Sequence, residues 1–213
     1  PPKKESVCFA ITNKNCFRSL ADILANSTAD IHMGQELRCV GEEFWRIKRW
    51  LLSGHYLYNG EEDTDSNEVP EPSQKWRAEG TASVTTQAGG KSAGNITCVK
   101  PNIDIAPPVC CAYNQVNARN KFEIVPGHLS AMVVNAWFGT RILVLNIYLD
   151  QKDHLGTKNR AILMMAGITI ECLGLPYVIG GDFNLSTQEI MNTDWITTID
   201  GMIAAPDKPT CRT

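Results

Sequence analysis

A chain of 213 residues, 43% apolar and 20% charged, is long enough to bury a layered core as one ordinary domain. Its formal net charge of −3 excludes a whole-protein field that gathers polyanions, so any nucleic-acid contact must be local. No run of about 18 apolar residues occurs, which excludes a transmembrane helix of the usual kind.

The elements follow from the N-terminus. Pro-Pro-Lys-Lys lacks the apolar core of a secretory signal, and a removed leader ahead of Pro1 stays open. Residues 6–12 (SVCFAIT) predict a short buried strand and residues 17–25 (FRSLADILA) an amphipathic helix, which together form a βα unit. Residues 30–36 (DIHMGQE) are strand-like, and residues 41–52 place Phe44, Ile47, Trp50 and Leu51 at helical spacing. Residues 60–79 lie in a polar stretch with acidic residues, two prolines and no apolar period, and predict a surface loop insertion. Residues 89–99 predict a turn and then a strand, and residues 101–111 an irregular, proline-bearing connection.

The strongest β signal comes next. Residues 129–138 (LSAMVVNAWF) and 140–149 (TRILVLNIYL) are apolar runs on either side of Gly139, the pattern of antiparallel neighbours. Apolar residues fill both parities, as in strands covered on both faces. Residues 157–173 predict a helix with Ala161, Met164, Met165, Ile168 and Cys172 on one face, and residues 176–182 (PYVIGGD) a strand. Strand, helix and strand here make a βαβ unit, so the two strands run parallel and end on one sheet edge.

Polar residues close these strands: Asn13 the first, Glu36 the second, Tyr148 another, and Asp182 with Asn184 the last. If the strands share a sandwich, the five side chains converge on one rim. In Gly180-Gly181-Asp182-Phe183-Asn184 the two glycines are read as allowing a tight turn that presents carboxylate and amide together. A carboxylate two residues from a carboxamide suits phosphoryl chemistry, one group taking a proton from water and the other donating to a phosphate oxygen. A single Glu on the rim suffices for Mg²⁺, which keeps several waters.

The cysteines Cys8, Cys16, Cys39, Cys98, Cys110, Cys111, Cys172 and Cys211 show no C-x-x-C spacing. A domain of this size needs no disulfide staples, so they read as mostly buried thiols, which favours a reducing compartment. The N-x-S/T triplets at Asn26, Asn95 and Asn184 read as chance occurrences. Gly90-Lys91-Ser92 lacks the earlier glycine and following helix of a phosphate-binding loop.

Taken in order, these blocks resemble the endonuclease/exonuclease/phosphatase superfamily, the deoxyribonuclease-I-like fold. The matching pieces are Asn13 at the first strand end, Gln35-Glu36 at the second, Lys91-Ser92-Ala93-Gly94 before a strand, Asn146-Ile147-Tyr148-Leu149, and Gly181-Asp182-Phe183-Asn184. The resemblance implies an α/β (α+β) fold: a four-layer αββα sandwich of mixed β-sheets flanked by helices, with its last strands missing. It implies Asn13 and Glu36 at a Mg²⁺ ion, with Mn²⁺ as the alternative, Tyr148 on the phosphate, Asp182 on the attacking water and Asn184 on the phosphate oxygens. The implied reaction is Mg²⁺-dependent hydrolysis of a phosphodiester or phosphomonoester, with nucleic acid among the candidate substrates.

The family's closing Asp and Asp-His pair have no match after Asn184, the last histidine being His154. Loss of a positioned acid-base group lowers rates by about 10²- to 10⁴-fold, so the chain as it stands is expected to be inactive or feeble. Two other readings stay open. One is a non-catalytic structural or interaction subunit, with protein partners covering the sheet edge, the 60–79 loop and the C-terminus; the other is a portion of a longer enzyme.

Overall fold

The computed structural model describes residues 6–13, 17–53, 57–58, 61–62, 75–87, 89–110, 120–135 and 139–204. The chain opens with β1 (Phe9–Asn13), α1 (Phe17–Asn26), β2 (Ile31–Gln35) and α2 (Gly41–Ser53). Short pieces follow: β3 (Leu57–Tyr58), β4 (Glu61–Glu62), β5 (Arg77–Thr81), β6 (Val84–Thr85) and β7 (Lys91–Ser92). Next come β8 (Asn95–Val99), β9 (Asp104–Ala106), β10 (Glu123–Val125), β11 (Leu129–Asn135) and β12 (Arg141–Tyr148). The last elements are α3 (Thr157–Leu173), β13 (Tyr177–Asp182), α4 (Thr187–Met191) and α5 (Trp195–Thr198).

Two mixed sheets carry the fold. One has the order β1-β2-β8-β5; the other runs β10-β11-β12-β13, with β9 also on β11. β1 and β2 are parallel, pairing Asn13 with Gln35, and β12 and β13 are parallel, pairing Tyr148 with Asp182. α3 makes the crossover between β12 and β13, the βαβ unit expected from the sequence.

Strand alternation sorts the core into three layers of contact. Along β12, Leu143, Leu145 and Ile147 face Ile162, Leu163, Ala166 and Ile170 of α3. Their odd-even complement Val144 meets Met132 and Val134 of β11 and, from the other sheet, Ile31, Met33 and Val99. On the far side of the first sheet, Ile96 and Cys98 pack under Leu20 and Leu24 of α1 and Phe44, Ile47, Trp50 and Leu51 of α2. Helices, sheet, sheet and helices therefore stack as a four-layer αββα sandwich. Burying residues such as Trp50, Phe44 or Leu143 contributes about 1.5–3 kcal/mol each.

Three local expectations need correction. Within the 60–79 loop, Glu61–Glu62 pairs with Leu57–Tyr58, Trp76 is fully buried in the α1/α2 core, and residues 77–79 belong to β5 on β8. The polar side chains of Arg77 and Glu79 mask a strand whose alternate residues Ala78 and Gly80 are buried. Residues 63–74 of that segment lie outside the described residues. Residues 104–106 of the irregular connection form β9.

The α3 face also differs. Asn159, Ile162, Leu163, Ala166, Thr169 and Ile170 are buried, whereas Ala161 and Met164 are exposed. The helix is apolar around most of its circumference, so periodicity selects no face. Asn159 settles the orientation instead: it accepts from the Asp150 N–H at 2.8 Å and donates to the Asp150 and His154 carbonyls at 2.8 and 2.6 Å. A carboxamide that caps the preceding turn in this way must face inward. Among the cysteines, Cys39, Cys98 and Cys110 are buried, Cys172 is half-buried and Cys8 is exposed; Cys16, Cys111 and Cys211 lie outside the described residues.

Candidate active site

The ends of β1, β2, β12 and β13 meet at one margin of the sandwich. Asn13, Tyr148 and Asp182 are the last residues of their strands, and Glu36 follows the last residue of β2. At the rim, two hydrogen bonds between its polar side chains cross from sheet to sheet. Asn13 Nδ2 donates to Asp182 Oδ2, and the Tyr148 hydroxyl donates to Glu36 Oε1 at 2.9 Å. Because Tyr148 and Asp182 are partners in register, both crossings lie on adjacent strands. Asn184 is close by: its N–H donates to Asp182 Oδ1 at 3.1 Å and its Nδ2 to the Leu149 carbonyl at 2.8 Å.

Glu36 and Asn184 adopt left-handed backbone conformations, with φ of 56° and 47°. Asn tolerates this region; Glu does so at a penalty of about 1–3 kcal/mol, and such strain gathers where geometry matters more than local comfort. The two glycines before Asp182 have a different role from the one the sequence suggests. Neither has a positive φ. A Cβ on Gly180 would lie 2.5 Å from Met33 Cε and 2.9 Å from Ile11 Cδ1, and one on Gly181 would overlap the Ile147 carbonyl. They let β13 approach the facing sheet and its neighbour β12, and this close approach brings Asp182 within reach of Asn13.

Electrostatics follow from burial. Burial pushes the Asp182 carboxyl above the usual carboxylate range; the Glu36 charge adds to this, and the hydrogen bonds from Asn184 partly oppose it. Burial, the hydrogen bond to Glu36 and its charge raise the Tyr148 phenol, which stays a neutral donor. His128 packs beside it, Nδ1–H donating to the Tyr148 carbonyl at 2.8 Å. Burial lowers the His128 pKa, so the ring is neutral.

Among the described residues no group of three or more His, Cys, Asp or Glu forms a metal cluster. The margin offers oxygen donors instead: Glu36, Asp182 and the Asn13 carboxamide. Asn13 Oδ1 is buried and has no hydrogen-bond partner. An orphaned, buried carbonyl oxygen beside two carboxylates fits a hard divalent cation, which binds oxygen ligands and retains waters.

Five residues singled out in the sequence thus lie together, Asn184 with its side chain engaged by backbone. Sequence reasoning placed Gln35 and Asn146 in the matching blocks but gave no role to the amides beneath the rim. Gln35, Asn95 and Asn146 are at most 1% exposed. The available signal was parity: in ILVLNIYL, Asn146 occupies the same face as Val144, where an apolar residue is expected.

No protein-family model matches the chain, and no curated protein matches its sequence. Solved structures similar to it include three of TDP2. One is truncated TDP2 from Caenorhabditis elegans, with a TM-score of 0.44 and 13% identity over 89% of this chain and 58% of that one. Another is D. rerio TDP2 humanized by 14 mutations, with a TM-score of 0.47 and 13% identity over 93% of this chain and 68% of that one. The third is D. rerio TDP2 complexed with single strand DNA product, with a TM-score of 0.47 and 12% identity over 94% and 67%. The chain therefore spans 58–68% of the length of these structures.

Proposed function

We propose that this chain carries the core of a divalent-metal-dependent phosphoesterase site that hydrolyses a phosphodiester or phosphomonoester. The observation that supports the reading most is the joining of the two sheets by Asn13–Asp182 and Tyr148–Glu36, which gathers four polar strand ends around one point.

Glu36 and Asn13 Oδ1 would hold the cation, Mg²⁺ or Mn²⁺. The chemistry that a bound cation supplies there is Lewis-acid polarisation of a phosphoryl oxygen. The remaining work falls to the chain. Asp182, its carboxyl raised by burial, is a stronger base than an exposed aspartate and takes the proton of the attacking water. Its two oxygens are fixed by Asn13 and by the Asn184 N–H, which orients the carboxylate before substrate arrives. Tyr148 stays protonated, and its single O–H, which rests on Glu36 Oε1, turns to a phosphate oxygen when substrate is bound. Asn184 holds the Asp182 strand end against Leu149 and has a second N–H on Nδ2 for a phosphate oxygen. A single-stranded nucleic acid is one candidate substrate, since one TDP2 neighbour is complexed with single strand DNA product.

The test is metal-dependent release of product from a chromogenic phosphodiester by the protein at its full native length. The reading expects turnover that needs Mg²⁺ or Mn²⁺ and is lost in both Asp182→Ala and Glu36→Ala. Turnover retained in both variants removes it. A full-length protein that neither binds the cation nor turns over substrate is instead a structural or interaction subunit.

A further inference from the structure

The layer between the two sheets is apolar where Ile31, Met33, Val99, Met132, Val134 and Val144 meet. Just below the active margin it becomes polar. Asn146, 0% exposed, lies on β12 but bonds to the other sheet. Its Oδ1 accepts from Gln35 Nε2 at 2.9 Å. Its Nδ2 donates to the Ile96 carbonyl at 2.9 Å, to Thr97 Oγ1 at 3.2 Å and to the Gly34 carbonyl at 3.4 Å. Asn95 Nδ2 returns a bond to the Asn146 carbonyl at 3.0 Å, and Ser130 Oγ donates to Asn95 Oδ1 at 2.5 Å.

Position gives this network its meaning. Asn146 precedes Tyr148 by two residues and shares its face of β12; Gln35 directly precedes Glu36. The Gln35–Asn146 bond is therefore the rung immediately below the Tyr148–Glu36 bond, and each rung joins β2 to β12. Gln35 also leaves its Oε1 buried without a hydrogen-bond partner. An apolar side chain would avoid that loss, so stability alone does not account for an amide here.

We infer that Gln35 and Asn146 are positioning residues: a buried amide clamp that fixes the spacing of the two sheets and so holds Glu36 against the Tyr148 hydroxyl. The catalytic consequence rests on the phosphoesterase reading, whereas the geometric consequence does not. Without the clamp, no side-chain tie among the described residues joins β2 to β12 beneath Glu36; the bonds that remain, from Asn95 to the Asn146 carbonyl and from Ser130 to Asn95, involve β8. The sheets then settle at the spacing preferred by apolar packing.

The experiment compares the parent with two paired variants, Gln35→Met/Asn146→Leu and Gln35→Asn/Asn146→Gln. The first replaces both amides by apolar groups of similar volume; the second moves one methylene from one side to the other and keeps an amide-to-amide bond. Thermal midpoint, crystal structure, and kcat and KM on a chromogenic phosphodiester are measured. The apolar pair is expected to keep its midpoint within about 5 °C of the parent. In it Glu36 and Tyr148 separate beyond hydrogen-bond reach, and kcat falls about 10- to 100-fold with KM nearly unchanged. The exchanged pair restores both the contact and kcat. An apolar pair that keeps the Tyr148–Glu36 bond and full kcat overturns the inference. Should the parent show no turnover, the crystal structures still decide: separation in one pair and closure in the other upholds the clamp while the phosphoesterase reading falls. If the apolar pair does not fold, Gln35→Met alone, which leaves the other Asn146 bonds in place, is read by the same contact.

Discussion

Gly180→Ala and Gly181→Ala, made separately, probe the close approach of β13 that brings Asp182 to Asn13. A methyl group at 180 would sit 2.5 Å from Met33 Cε, 2.7 Å from Met33 Sδ and 2.9 Å from Ile11 Cδ1. All three atoms belong to flexible side chains, Ile11 half-exposed and Met33 buried, so they can shift by a change of rotamer. Overpacking of this kind costs about 1–3 kcal/mol. At 181 the methyl group meets the Ile147 backbone carbonyl in the neighbouring strand, which cannot yield without breaking the β12–β13 ladder. That loss exceeds the first and amounts to about 3 kcal/mol or more. Urea denaturation monitored by tryptophan fluorescence gives both values at unchanged slope. A Gly181→Ala protein as stable as Gly180→Ala would refute the packing account.

The remaining predictions concern the site and its surroundings. Asp182→Asn keeps the shape but lacks the base and one of the two acceptor oxygens, and should lower kcat by about 10²- to 10⁴-fold in steady-state assays. Tyr148→Phe removes a hydrogen bond to a carboxylate worth about 1.5–3 kcal/mol, and a kcat/KM loss of about 10- to 100-fold is expected. Glu36→Gln in the cation-free protein should lower the Asp182 pKa, since the Glu36 charge helps to raise it; the carboxyl ¹³C shift reports the change. His32, buried and bonded to Thr12 Oγ1 at 2.6 Å, has its pKa lowered from 6.5 to about 4 by burial. The unfolded chain binds that proton first, so stability falls as pH drops from about 6.5 to about 4, on the order of 1–3 kcal/mol. His32→Gln should flatten this part of the stability profile, and a slope left unchanged would assign it to His128, whose pKa is also lowered by burial.

Much of the sandwich was legible in the sequence because its central elements obey simple periods. Phe44, Ile47, Trp50 and Leu51 recur at helical spacing with Arg46, Lys48 and Arg49 between them, so the buried face of α2 follows directly, as it does not for α3. β11 and β12 are apolar at both parities because one face meets α3 and the other meets the facing sheet. β5 and β9 were hidden by composition. Arg77 and Glu79 point outward at half-buried positions, and β9 is three residues long beside prolines. The rim residues were found because each ends a strand or follows its end within two residues, a positional cue that survives in sequence. The amide clamp was not, since Gln35 and Asn146 are 111 residues apart and only the folded sandwich pairs them.

The central claim is that Glu36 and Asn13 form one side of a cation site at the shared margin of the two sheets. Anomalous scattering from crystals of the full-length protein grown with Mn²⁺ tests it most directly. The account predicts a single strong peak touching Glu36 and Asn13 Oδ1, absent in Glu36→Ala. Peaks confined to other carboxylates, with Asn13 Oδ1 still without a partner, would contradict it.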